Sequence, residues 1–215
     1  MLIVGAKGFA KEVLEVLYQN GDTENLVFYD DISNDLPDLL FGKFNILKSL
    51  EQAQAYFSAT ENRFTLGVGN PILRKNLYEK FKIIGGALTS TLSLTGQIGS
   101  FDVRIGEGLN MLSNSIISNG VKVGNGCIIY YGATITHDCI INDFVEISPN
   151  VTILGSCTIG SYTQLGANST ILPKISIGKN VIVGAGSVVT KNVPDNCLVV
   201  GVPAVIKKML QPLEI

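Results

Sequence analysis

One aliphatic residue every six positions constrains this chain more than any other feature. From Ile105 the series runs through Met111, Ile117, Val123, Ile129, Ile135, Ile141, Ile147, Ile153, Ile159, Leu165, Ile171, Ile177, Val183 and Val189 without a miss. Ile, Leu, Val and Met make up about a third of the sequence, so an unbroken run of fifteen has odds on the order of one in a million by chance. A period of six is too short for a helical repeat. It fits a short strand plus a tight turn, and three such sides close one triangular coil of a parallel β-helix. Gly follows the aliphatic at 106, 124, 160 and 178, with Asn142 in the missing slot of that 18-residue series, which groups three hexads into one coil. Gly106 and its equivalents are expected to supply the positive φ that the corners demand. The residues in step make roughly five coils and, at the spacing of β-strands, a prism on the order of 24 Å long.

Strand alternation puts residues two before each aliphatic on the same inward side. These include Ser115, Val121, Cys127, Ala133, Cys139, Val145, Val151, Cys157, Thr163, Ser169 and Ser187, nearly all small or aliphatic. Three of the four cysteines are thereby assigned to the core as free thiols, and no pair has the CxxC spacing of a zinc knuckle.

Composition changes ahead of the repeat. Leu2-Ile3-Val4 has the pattern of a buried strand, followed by the turn Gly5-Ala6-Lys7-Gly8 and a helix with Val13, Leu14, Val16 and Leu17 on one face. A second strand, Leu26-Val27-Phe28-Tyr29, runs into Asp30-Asp31, and a third, Phe64 to Val68, ends at Gly69-Asn70-Pro71 before a helix carrying Leu73, Leu77 and Phe81. The fold expected is mainly β: a parallel β-helix over residues 86–193, preceded by a small Rossmann-like α/β domain over 1–85 and closed by a cap over 194–215. Leu92 and Ile98 keep the hexad spacing but stand one residue out of step with Ile105, so the coil begins irregularly. The cap is expected to contain a strand and a short helix covering the last coil.

Net charge is −2 with a pI near 5.4, and no basic run exceeds Lys207-Lys208, so nucleic acid and anionic membrane surfaces are not expected partners. The opening residues lack the basic flank, apolar run and cleavage site of a signal peptide, and no stretch of about 18 apolar residues follows, which points to a cytoplasmic protein.

His137 is the single histidine, two residues after Ile135 and therefore outside the inward series. The carboxylate of Asp138 could accept from one ring nitrogen and leave the other free as a base, provided both residues lie at a corner of the coil. Gly155, one coil above His137, offers a backbone amide for an oxyanion. The turn Gly5-x-x-Gly8-x-Ala10 is a weak match to a dinucleotide-binding fingerprint.

The stretch His137-Asp138-Cys139-Ile140-Ile141-Asn142-Asp143-Phe144 resembles a motif of the hexapeptide-repeat sugar acetyltransferases, the family of sialic-acid O-acetyltransferase and the nucleotide-4-amino-sugar N-acetyltransferases. Gly5-Ala6-Lys7-Gly8, Tyr29-Asp30-Asp31, Val68-Gly69-Asn70-x-x-x-Arg74 and Val200-Gly201-Val202-Pro203-Ala204 extend the resemblance over nearly the whole chain. It implies a left-handed β-helix, a homotrimer, and acetyl-coenzyme A lying along the groove between subunits, with no metal. By the same resemblance His137 is the general base and Asp138 raises its basicity. Glu146, Ala167 and Ala185 match cofactor positions, although Glu146 stands where some relatives have histidine. Gly8, Phe9, Ala10, Asp30, Asp31 and Gly69 match the site for a nucleotide-activated amino sugar, with Phe9 and Ala10 departing from the His-Gly of close relatives. The activity implied is N-acetylation of a nucleotide-linked 4-amino-4,6-dideoxy sugar. O-acetylation of a sialic acid or another sugar hydroxyl is the alternative within enzymes, and a structural β-helix module is the alternative outside them. A metal-dependent hydratase on the same coil needs three histidines, which this chain lacks.

Overall fold

The computed structural model describes residues 1–214. The first unit is a six-stranded sheet in the order β3-β4-β2-β1-β5-β6. Its strands are β1 (Leu2–Val4), β2 (Val27–Tyr29), β3 (Leu39–Leu40), β4 (Phe44–Leu47), β5 (Arg63–Leu66) and β6 (Ala87–Leu88). All neighbours are parallel except β3 with β4. The helices are α1 (Gly8–Gln19), α2 (Leu50–Ala59) and α3 (Pro71–Ile83). Alternation in β1 divides the core. Ile3 packs with Ala10, Val13 and Leu17 of α1, while Leu2 and Val4 pack with Phe57 and Phe81 from α2 and α3. Asn70 caps α3 by accepting from the Leu73 amide at 3.0 Å, and Pro71 fills the first turn, where no amide partner is required. Sheet pairing carries this unit through Leu88, beyond residue 85. The elements β3, β4 and α2 lie between Leu39 and Ala59, a stretch without a clear periodic signature.

The hexads build a three-sided prism whose strands each pair with the strand one coil away. One face, which we call the docked face, holds the pairs beginning at Thr91, Asn110, Ile128, Glu146, Gln164 and Ile182. The second face holds those beginning at Gln97, Ile116, Thr134, Thr152, Thr170 and Val188, and the third those at Arg104, Lys122, Ile140, Thr158 and Ser176. The coil therefore starts at Thr91, with one extra residue before Arg104, and has six layers on two faces instead of about five. Ile129, Ile135, Ile147, Ile153 and Ile159, and with them Cys127, Ala133, Cys139, Val151 and Cys157, are completely buried.

Two expectations are corrected. Positive φ falls on the third residue after each aliphatic, as at Asn114, Asp138, Phe144, Ser156 and Lys174, and not on the first. Gly106, Gly124, Gly160 and Gly178 are small for another reason: each lies against the backbone of the next coil, and a Cβ on Gly160 would stand 2.5 Å from the Lys179 nitrogen. Among its described residues the cap contains no helix. Cys197–Gly201 extends the docked face by parallel pairing with Ile182–Val183, and Ala204–Met209 folds back antiparallel upon it. Pro203 in the middle of this stretch opposes a helix and suits the hairpin turn, while Lys207 and Lys208 lie on the outermost strand, where charge discourages further pairing.

The α/β unit sits on the docked face. Asn110 bridges the two: its Nδ2 donates to Leu66 O at 2.9 Å, and its Oδ1 accepts from Thr65 at 3.0 Å and from Thr91. Arg74 of α3, 1% exposed, donates to the carbonyls of Gly126 at 3.0 Å and of Phe144 and Val145 at 2.8 and 3.2 Å, and also to Gly69. Phe9 rests on Tyr130 with ring centroids 5.1 Å apart.

Candidate active site

Two groups of polar residues stand out, on opposite sides of the prism. The first lies on the edge between the second and third faces, the edge facing away from the docked unit. Going up the coils it carries Asn119-Gly120, His137-Asp138, Gly155-Ser156 and Pro173-Lys174. His137 follows the Thr134–Ile135 strand at the turn, and Asp138 adopts φ 59°, a left-handed conformation that acidic and amide side chains tolerate better than most. This turn folds the carboxylate back on its neighbour, with His137 Nδ1 and Asp138 Oδ2 2.9 Å apart. The Asp138 carboxylate occupies space that a side chain at Gly120 would fill. A carboxylate only accepts, so this bond puts the proton on Nδ1 and leaves the Nε2 lone pair open. Both side chains are about two-thirds exposed, at 64% and 66%. Above them the imidazole lies against Gly155, where a Cβ would stand 2.5 Å from Nε2. The Gly155 carbonyl accepts from Lys174 N at 2.9 Å, while its amide donates to no other group among the described residues. The edge thus holds an oriented base beside an unused donor.

The second group surrounds a cavity of about 340 Å³ in the α/β unit. It lies at the carboxyl ends of β1, β2 and β5, where parallel sheets take ligands. Its lining includes Gly8, Phe9, Asp30, Asp31 and Gly69, with Lys7 the one cation among the described lining residues. Ala10 is not among them: it is fully buried beneath the turn, against Gly67. Asp30 closes its own turn, accepting from the amides of Ile32 and Ser33 at 3.1 and 2.8 Å and from the Ser33 hydroxyl. Asp31 accepts from Tyr29 Oη at 2.7 Å and from Lys80 Nζ at 3.1 Å. Partial burial pushes its carboxyl up, but those two bonds outweigh it and hold the group below its ordinary range. One oxygen of Asp31 remains free for a ligand.

The remaining expected positions separate. Ala167 and Ala185 stack on the edge between the docked and second faces, where Gly186 N donates to Ala167 O at 2.8 Å. Glu146 stands apart from them, in mid-face beneath the α/β unit. Its Oε2 accepts from Gln164 at 2.9 Å and lies 3.9 Å from Arg74 Nη1, and it faces Gly69. It does not line the cavity but touches it through Gly69. Sequence reasoning missed Lys80, Tyr130 and Gln164, none of which belongs to a motif with a local signature. Among the described residues no cluster of His, Cys, Asp and Glu could hold a metal ion, and no helix is long and apolar enough to cross a membrane.

Comparison with known proteins supplies the context for both groups. Residues 1–81 match the model of the PglD N-terminal domain, residues 138–173 and 156–191 that of the bacterial transferase hexapeptide, and residues 102–137 that of the hexapeptide repeat of succinyl-transferase. The chain joins a PglD-type N-terminal domain to hexapeptide repeats, the make-up of the hexapeptide-repeat sugar acetyltransferases, and shares their fold. Its prism is accordingly a left-handed β-helix. PerB of Caulobacter crescentus, solved with CoA and GDP-perosamine, superposes with a TM-score of 0.89 at 28% identity, covering 96% of each chain. WeeI of Acinetobacter baumannii is also 28% identical, with a TM-score of 0.75 over 95% of this chain and 98% of that one. The acetyltransferase domain of PglB from Neisseria gonorrhoeae matches at 25% identity and a TM-score of 0.82, over 95% and 98%. No curated protein matches the acetyltransferase by sequence.

Proposed function

We propose that this acetyltransferase moves the acetyl group of acetyl-coenzyme A onto the amine of a nucleotide-linked 4-amino-4,6-dideoxy sugar, with His137 as general base. The observation that carries the reading is the far edge itself: an imidazole oriented by Asp138, open at Nε2, and pressed against a glycine whose amide is unused. The CoA and GDP-perosamine held by the similar PerB structure agree with it. In the reaction the amine nitrogen bonds to the thioester carbon and the carbonyl oxygen becomes an oxyanion that the Gly155 amide stabilises. His137 Nε2 takes the proton leaving the nitrogen. The carbon–sulfur bond then breaks, and the imidazolium returns that proton to the thiolate, giving the amide and coenzyme A.

The same geometry favours a trimer. The cavity lies over the docked face and His137 on the edge opposite, so one copy's cavity cannot serve its own base. Packing three prisms side by side can bring the edge of one copy to the docked unit of the next, and the stacked Ala167 and Ala185 would leave room there for a pantetheine arm. The test is coenzyme A release with GDP- and UDP-linked 4-amino-4,6-dideoxy sugars against free sialic acid. We expect turnover with a nucleotide amino sugar, and a loss of about a thousandfold in His137→Ala. Turnover only on the free sugar's hydroxyl would overturn the reading in favour of O-acetylation.

A further inference from the structure

Glu146 is a carboxylate on the docked face of the prism, beneath the cavity, and among the described residues one of its two oxygens accepts no hydrogen bond. Its side chain is 14% exposed. Gln164 supplies one bond, to Oε2, while Oε1 accepts none among the described residues. Arg74 is its nearest cation, yet the guanidinium is committed to the carbonyls of Gly69, Gly126, Phe144 and Val145 and comes no closer than 3.9 Å. The carboxylate therefore has a distant counter-charge and no cationic hydrogen-bond donor. Gly69 stands between it and the cavity: Glu146 itself does not line the cavity, but Gly69 does, and a Cβ there would stand only 3.8 and 3.9 Å from the two carboxylate oxygens, so a glycine alone separates the carboxylate from a ligand in the cavity. Burial pushes the Glu146 carboxyl upward, with Gln164 and Arg74 pulling the other way. A half-satisfied buried carboxylate calls for a cationic partner.

We infer that Glu146 receives the amino group of the acceptor sugar and makes this enzyme selective for an amine over a hydroxyl. The inference rests on the nucleotide-sugar reading of the cavity and goes beyond it by naming the group that chooses the nucleophile. An aliphatic amine is largely an ammonium at neutral pH, so it arrives with the charge and the donors that Oε1 lacks. The ammonium gives one proton to water before it attacks; once bonded to the thioester carbon its nitrogen is again positive until His137 of the partner subunit takes the second proton, and the same carboxylate balances that charge. A hydroxyl brings one donor and no charge. Seating it would leave the carboxylate with its desolvation uncompensated, and a site of this kind discriminates strongly.

Calorimetry with GDP- and UDP-linked 4-amino-4,6-dideoxy sugars, each beside its 4-hydroxy counterpart, tests this directly. The wild type is expected to bind the amine at least about tenfold more tightly than the hydroxyl compound. In Glu146→Gln, which keeps the shape and can still accept from Gln164, that preference should vanish, the amine compound losing affinity while the hydroxyl compound keeps or gains it. Binding of the hydroxyl compound also reports that the cavity is intact. Equal affinities in the wild type would overturn the inference without any variant. So would a preference that survives in Glu146→Gln. If none of the nucleotide sugars binds the wild type, the nucleotide-sugar reading itself fails.

Discussion

On the far edge the polar positions stack on residues 18 places away, whereas around the cavity the partners come from separate elements of a sheet. The Asp138 carboxylate stands against Gly120 and the His137 ring against Gly155, each pair 18 residues apart and fixed by the register of the coil. Asp31 is held instead by Lys80, 49 residues on, and Arg74 ties α3 to the prism through carbonyls 52 and 70 residues away. One side owes its geometry to repetition and the other to individual long-range contacts. Substitutions should therefore act differently on the two sides: those on the edge should change rate and leave stability alone, and those at the seam should do the reverse.

Arg74→Ala should give the largest effect. It leaves several buried carbonyls without donors and a void between the units, a cost of about 3 kcal/mol or more. Thermal melting should fall by roughly 6 to 12 °C for a chain of this size. An unchanged melting point would mean that the docked unit is held mainly by apolar contacts such as Phe9 on Tyr130. Gly155→Ala should show the opposite pattern. Its φ is outside the left-handed region, so alanine fits the backbone, but the methyl group would displace the imidazole below it. We expect kcat/KM to fall about a hundredfold with melting unchanged. A variant with full activity would show that the imidazole does not work from this position.

What the sequence disclosed follows the same division. The hexad identifies the buried faces because two inward residues in every six form a pattern that packing cannot do without. Corners were less legible. Positive φ sits at Asp138, Phe144, Tyr162 and Lys174, residue types that include aromatic and basic side chains with no turn signature, while the conspicuous glycines serve close approach between coils. The terminal hairpin was misread as part helix because Ala204 to Met209 shows no clean alternation, all but its first residue being exposed. In the α/β unit the turn and the acidic pair were visible as local motifs. Lys7 and Tyr29 stand inside those motifs, but Lys80 does not, since only the tertiary fold brings an amine on α3 to a carboxylate after β2.

Asp138→Asn separates orientation from charge on the edge. Asparagine tolerates the left-handed corner, so the fold should stand, but an amide does not enforce the proton on Nδ1 as a carboxylate does. A loss of about tenfold in kcat/KM with an unchanged KM for acetyl-coenzyme A is the expected result. Equal activity would show that the Gly155 contact orients the ring unaided.

The smallest effect belongs to the cavity and concerns Lys7, which caps the start of α1 with no side-chain bond to the helix. Its amine is instead bound to Asp35 across the cavity mouth, at 2.8 and 3.2 Å from the two carboxylate oxygens, and both side chains are largely exposed. Exposed pairs of this kind are weak and easily exchanged. A nucleotide diphosphate entering the cavity offers more negative charge than Asp35, so Lys7 should change partners, beside amides at the helix start that already favour phosphate. Lys7→Ala should weaken GDP and UDP binding about threefold at low salt, and Asp35→Ala should strengthen it by a similar factor because the amine is then free. If Lys7→Ala weakens binding but Asp35→Ala does not strengthen it, the ion pair holds the loop and does not compete with phosphate. If neither substitution matters, the backbone amides carry the diphosphate alone, and the cavity, like the far edge, depends on main-chain donors fixed by local turns.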